Sequence, residues 1–241
     1  CYHASGHGFT QAEGDTLQKK DWGNLGKIVS RPLLRCEALP EVSPAEIEDC
    51  REGVFNVASD WMATKDFGLR YNYDHPFLPC DNFTERWHYP CYYEFSMKFE
   101  PIIGDSPLKA ESFVKSILNT GLRETTFGAM VAGMMQRQAP LDRYALVFDE
   151  CLRISDNALF KVCIYSSANG MMEHGSPGKE YEKILPICKL ASLEKREGTK
   201  ICYETLARRL SRFYPPKKKT KICSEFPVAH RGFCNITPLL H

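Results

Sequence analysis

The chain contains no C-x-x-C pair, which removes the usual zinc-ribbon spacing and the thioredoxin redox motif together. It also lacks G-x-S-x-G, G-x-x-x-x-G-K-S/T, G-x-G-x-x-G and H-E-x-x-H. The nucleophile elbow, phosphate loop, dinucleotide fold and zinc-protease helix therefore have no motif to rest on. No stretch approaches the roughly 18 consecutive apolar residues that span a bilayer. Charge of one sign is missing as well: 31 Lys and Arg against 30 Asp and Glu leave a net charge of +1. That balance gives no general attraction to nucleic acid or to an anionic membrane. No hydrophobic leader is visible, and a chain that begins at a cysteine reads as a processed or trimmed product.

What is present is globular. The 241 residues are 43% hydrophobic and 12% aromatic, enough to bury a core in one large domain or two small ones. Cysteine stands out, with eleven in the chain. That density points to an oxidising compartment: a secreted protein, an oxidising lumen or a cell surface. Two sequons, Asn82-Phe83-Thr84 and Asn235-Ile236-Thr237, are compatible with a glycoprotein on that route.

The cysteines fall into pairs of near-equal span. Cys36 and Cys50 enclose 13 residues, Cys80 and Cys91 10, Cys151 and Cys163 11, Cys188 and Cys202 13, Cys223 and Cys234 10. These five pairs are the expected disulfides, each closing a short loop worth roughly 3 kcal/mol through the unfolded state. The first members of the last three pairs step by 37 and then 35 residues, and 71 separate Cys80 from Cys151. One repeat without cysteines belongs in that gap, and FVKSILNTGLRETTFGAMVAGMM (113–135) has its shape: a helix, a break at Asn119-Thr120-Gly121, a second helix. Such a period is the arithmetic of helical-hairpin arrays.

The inter-cysteine segments carry helix punctuation. Ser43, Pro44 and Glu46 form an N-terminal signature, Ser155-Asp156 offers cap chemistry, and Gly198 reads as a C-terminal stop. After Cys202 a stripe of Tyr203, Leu206, Leu210 and Phe213–Tyr214 lies opposite Arg208, Arg209 and Arg212. Arg143–Phe148 is read as another helix rather than a strand. The expected fold is all-α: a disulfide-stapled, solenoid-like hairpin array, one domain over 1–241 with about six repeats, the first incomplete. In period and cysteine pairing, over roughly residues 30 to 235, the chain resembles the cysteine-rich Sel1-type relatives of tetratricopeptide repeat proteins. The resemblance implies a solenoid-like stack and gives no residue a role.

The opening CYHASGHGF raises the question of chemistry. Aligned on the second cysteine of each pair, Cys1-Tyr2 matches Cys91-Tyr92 and Cys202-Tyr203, which makes Cys1 the second member of a sixth pair whose partner lies upstream. The alternative, a lipid-modified N-terminal cysteine, stays open. His3 and His7 stand at i, i+4, so a helix projects both rings from one face, the geometry by which two histidines share a metal. Gly6 and Gly8 would allow a close approach there. A neighbouring carboxylate or His174, with His75 and His88 as further candidates, would have to complete the sphere of a transition metal such as zinc.

Three other features carry no chemistry of their own. Met130, Met134, Met135, Met171 and Met172 read as core filling, and PPKKKTK (215–221) as a solvated loop between repeats. The stretch 67–95 is dense in aromatics and reads as a long irregular segment, where protein interfaces are often built; Trp87, Tyr89, Tyr92 and Tyr93 are its candidate contacts. The sequence thus favours a non-enzymatic, extracytosolic repeat domain that binds a protein partner or assembles into a larger complex. The alternative is a metal-binding protein or metal-dependent enzyme centred on His3 and His7.

Overall fold

In the computed structural model, which describes residues 2–194 and 196–235, helices begin and end where local chemistry puts them, and the described residues form no strand. The chain divides into two compact units, one through Ile102 and one from Ile103 on.

The first unit holds α1 (Tyr2–Thr16), α2 (Leu25–Glu37), α3 (Pro44–Thr64), the short α4 (Leu78–Asp81) and α5 (His88–Ser96). A further turn, α6 (Glu100–Ile103), leads onward. Ser43 caps α3 with a complete capping box: its hydroxyl accepts from the Glu46 N–H, and Glu46 accepts from the Ser43 N–H at 2.7 Å. Pro44 occupies the first turn, where its missing N–H costs nothing. Helix α1 packs on α3, α3 on α5, and α2 lies against both α1 and α3. Ile28, Val29, Leu33, Val54, Phe55 and Phe95 are the fully buried centre of this unit.

The second unit holds α7 (Pro107–Val114), α8 (Thr120–Gln138), α9 (Tyr144–Cys151), α10 (Asn157–His174), α11 (Glu180–Cys188), α12 (Ala191–Glu194), α13 (Gly198–Phe213) and α14 (Pro216–Ser224). A 3₁₀ segment, Val228–Asn235, follows. Asn119 caps α8 by accepting from the Leu122 N–H, and Asp156 caps α10 by accepting from Ala158 and Leu159. Helix α8 packs on α10, α10 on α13, and α13 on the 3₁₀ segment. Helix α9 lies against α8 and α10, α11 against α10 and α13, and α14 against α13 and the 3₁₀ segment. In the first unit α2 likewise lies against both α1 and α3. The five methionines noted above are all buried in this core.

Five disulfides join Cys36 to Cys50, Cys80 to Cys91, Cys151 to Cys163, Cys188 to Cys202 and Cys223 to Cys234, with Cα atoms 5.4 to 6.2 Å apart. These are the pairs implied by the spacing. Each first cysteine is the last or next-to-last residue of its helix, and each second one lies one to two turns into the next. A disulfide therefore ties the exit of one arm to the entrance of the other. Cys1 lies outside the described residues.

Three local expectations change. PPKKKTK is not a loop, since Pro216 starts α14 and the lysines ride on it, while Ile222 and Cys223 face inward. Gly198 opens α13 instead of closing an arm: a Cβ there would stand 2.9 Å from both Leu193 and Phe160, so packing, not capping, demands glycine. Within 67–95, the residues from His88 on are regular helix. The aromatics there are largely interior. Trp87 is only 8% exposed and its indole N–H donates to Glu37, which also pairs with Arg51 and Arg86. Tyr92 is equally buried, stacked on Phe77 with its hydroxyl donating to Asp81. Both rings are consumed by the unit's own packing. Tyr89, 44% exposed, stacks with the part-buried Tyr93 and keeps a face to solvent.

Candidate metal centre

Helices α1 and α3 meet backbone to backbone. A Cβ on Gly6 would stand 2.0 Å from the Cys50 carbonyl oxygen, and one on Gly53 would stand 2.0 Å from that of His3. Only glycine at both places permits this crossing. Gly8, by contrast, faces open space. The close approach seats the start of α1 on α3 around Cys50 to Val54, and α5 packs on α3 as well.

Three side chains converge as a result, one from each helix. A ring nitrogen of His3, a carboxylate oxygen of Glu52 and one of Glu94 all lie within 4.8 Å of one another. Ligand atoms around a tetrahedral ion at about 2.0–2.2 Å stand roughly 3.5 Å apart, so a small inward movement of these side chains would let them share one ion. Glu94 is 3% exposed, and Asn56 donates to its carboxylate at 2.7 Å, fixing its orientation. The His3 ring makes a hydrogen bond to the Asp49 backbone that favours the protonated ring, so the ring is the donor. Orientation of one ring nitrogen by a backbone acceptor is how ligating histidines are commonly held.

The electrostatics mark a site short of positive charge. Burial first, then the neighbouring carboxylates of Glu94, Asp49 and Glu48, push the Glu52 carboxyl up to about 8. Burial also raises Glu94 to about 7, against the Asn56 hydrogen bond and the nearby Lys98 ammonium. Lys98 itself is paired with Asp60 at 2.5 Å. Burial, followed by the charge of His7, holds His3 below the usual histidine value despite the pull of Asp49. Two carboxyls that resist ionisation beside a neutral imidazole are what a buried dication would relieve.

The two histidines of the opening stretch do share a face, with ring centroids 4.7 Å apart. His7 is not part of the three-atom group, and neither is His174, the last residue of α10 in the second unit. His75 is exposed, and His88 is engaged with the Phe83 carbonyl at 3.0 Å. Sequence reasoning missed Glu52 and Glu94, which look like ordinary helix acids. A signal existed: Glu52 and Glu94 stand two and three residues after the second cysteines of their pairs, Cys50 and Cys91, and His3 stands two after Cys1. Of the two sequons, Asn82 and Asn235 are exposed, while Ile236 and Thr237 lie outside the described residues.

No protein-family model, curated protein or solved structure matches this chain.

Proposed function

We propose that the chain is a disulfide-stapled helical-hairpin domain of a secreted or otherwise oxidising compartment, and that it binds one divalent transition metal, zinc foremost, at His3, Glu52 and Glu94. The observation that carries the reading is the convergence of one imidazole and two desolvated carboxylates from three helices within 4.8 Å. Mixed nitrogen and oxygen donors suit zinc better than calcium or magnesium, which take oxygen-only sets. The charge arithmetic supports it too. Two carboxylates neutralise a dication, leaving no net charge in a site that water reaches poorly. The five local disulfides support the compartment, since reducing cytosol would not preserve them.

The test is metal analysis of the intact protein purified from an oxidising host without chelator, with zinc titration of the stripped form. One zinc per chain, abolished by Glu52→Gln, is the expected result. Absence of metal together with no zinc uptake at micromolar concentration overturns the reading.

A protein-binding role rests on a different feature, a groove of about 240 Å³ in the second unit lined by Tyr144, Phe148, Pro186, Ile187 and Leu190 together with the charged Asp149, Glu182 and Lys183. Apolar walls beside two carboxylates, with the one ammonium, Lys183, already paired with Asp142 at 3.1 Å, suit a peptide presenting a leucine between lysines. Fluorescence anisotropy of such a labelled peptide, with Ile187→Asp as the weakened variant, tests it. Equal binding by both proteins, or none by either, counts against the groove.

A further inference from the structure

His7 supplies the second observation at the metal centre. Its Nε2 is buried and has no hydrogen-bond partner. Buried side-chain nitrogens are rarely left unpaired, because desolvation without a partner costs about 1–3 kcal/mol. The ring stands one turn below His3 on the same face of α1, centroid to centroid 4.7 Å.

A second fact concerns how α1 is held. None of the five disulfides reaches α1. Its attachment to α3 relies on the glycine crossing, on the hydrogen bond of the His3 ring to the Asp49 backbone, and on packing along the two helices. Every other helix of eight or more residues, except α7 and α8, carries a cysteine that staples it to a neighbour.

We infer that His7 is the fourth ligand of the metal held by His3, Glu52 and Glu94, and that the completed two-nitrogen, two-oxygen sphere clamps α1 onto α3 and α5. The inference rests on the metal-binding reading above and adds the role of the site. Zinc centres with four protein ligands and no open position are structural, whereas catalytic ones keep a place for water or substrate. With His7 in the sphere, the metal does for α1 what a disulfide does for the other arms. His7 reaches the ion by side-chain rotation alone, since i, i+4 histidines on a helix already share a face.

The experiment uses the full chain, stripped with a chelator and then titrated with zinc against a chromophoric competitor. Cobalt loading is followed in parallel by visible absorption. Wild type should take one ion and give the intense bands of four-coordinate tetrahedral cobalt. His7→Ala and His7→Gln should lose affinity by about 100-fold or more and give the pale spectrum of a five- or six-coordinate ion. Tryptophan fluorescence, which reports the first unit through Trp22, Trp61 and Trp87, should be unchanged by either variant. Hydrogen exchange of the α1 amides should slow when zinc is added to wild type and respond far less in the variants. Wild-type zinc binding with His7 variants equal in affinity and cobalt spectrum overturns the inference and spares the three-ligand site. Loss in both variants without zinc-dependent protection of α1 overturns the clamp. Failure of wild type to bind zinc overturns the metal reading itself.

Discussion

The α1–α3 crossing offers a sharp internal control, because Gly53 at the crossing and Gly8 away from it meet different surroundings. Gly53→Ala would place a methyl 2.0 Å from the His3 carbonyl oxygen, and ordinary contact begins near 3.4 Å. The obstacle is backbone on a facing helix, so no side chain can rotate away. The helices must part by more than an ångström. A gap of about 0.5–1 Å already forfeits a quarter to a half of each van der Waals contact it spans, and the contact between α1 and α3 runs along most of α1 through the buried Gly6, Thr10 and Gly14. Overpacking of this kind costs about 1–3 kcal/mol, and we expect the upper part of that range. Alanine's better helix propensity offsets about 1 kcal/mol of it. Gly8→Ala, with nothing within 4 Å of the new methyl, receives that propensity gain with no clash. Urea unfolding monitored by tryptophan fluorescence isolates the first unit, where all three tryptophans lie. The expected result is a lower midpoint for Gly53→Ala, a slightly higher one for Gly8→Ala, and weaker zinc uptake in the former because His3 is carried away from Glu52. Equal midpoints for the two variants would refute the close crossing and, with it, the site it builds.

Other perturbations follow from the same geometry. In the metal-free protein, Glu52 and Glu94 keep their protons up to about 8 and 7, whereas the unfolded chain releases them near 4.5. Stability should therefore fall between about pH 4.5 and 8, by an amount on the order of a few kcal/mol, while the zinc-induced rise in thermal midpoint grows over that window; an apo midpoint that rises instead contradicts the buried carboxyls. Replacing Cys151 and Cys163 together by alanine should cost about 3 kcal/mol, read as a lower urea midpoint by far-UV circular dichroism with the helical signal retained in buffer. Trp87→Ala should destabilise the first unit by about 3–5 kcal/mol, whereas Tyr89→Ala should stay within about 0.5 kcal/mol; similar effects of the two would place Trp87 at the surface.

What was legible in the sequence was local. The disulfides bridge cysteines 11 to 14 positions apart, and helix starts at Pro44, Thr120 and Asn157 are written in side chains that bond within three residues. Period and capping chemistry are visible without knowing what packs on what. The fate of Trp87 was not, because its partner Glu37 is 50 residues away and an indole suits an interface as well as a core. Glu52 and Glu94 were hidden for the same reason. Their meaning arises only when Gly6 and Gly53 let two backbones touch; Gly6 announces a close approach, but nothing local says which helix makes it. His3 and His7 were found because i, i+4 spacing is itself local. The lysines of α14 misled because charge suggests solvent, and Pro216 as a first-turn residue was the better guide.

The disulfides have a consequence for how the chain is made. In every bonded pair the partner is the next cysteine along the sequence. A chain emerging N-terminus first into an oxidising lumen can therefore close each bridge soon after its second thiol appears, before the next pair arrives. No bridge has to wait for a distant segment, and correct pairing needs little reshuffling. Each hairpin would be locked before its successor is synthesised, and would then serve as the surface on which the next one docks.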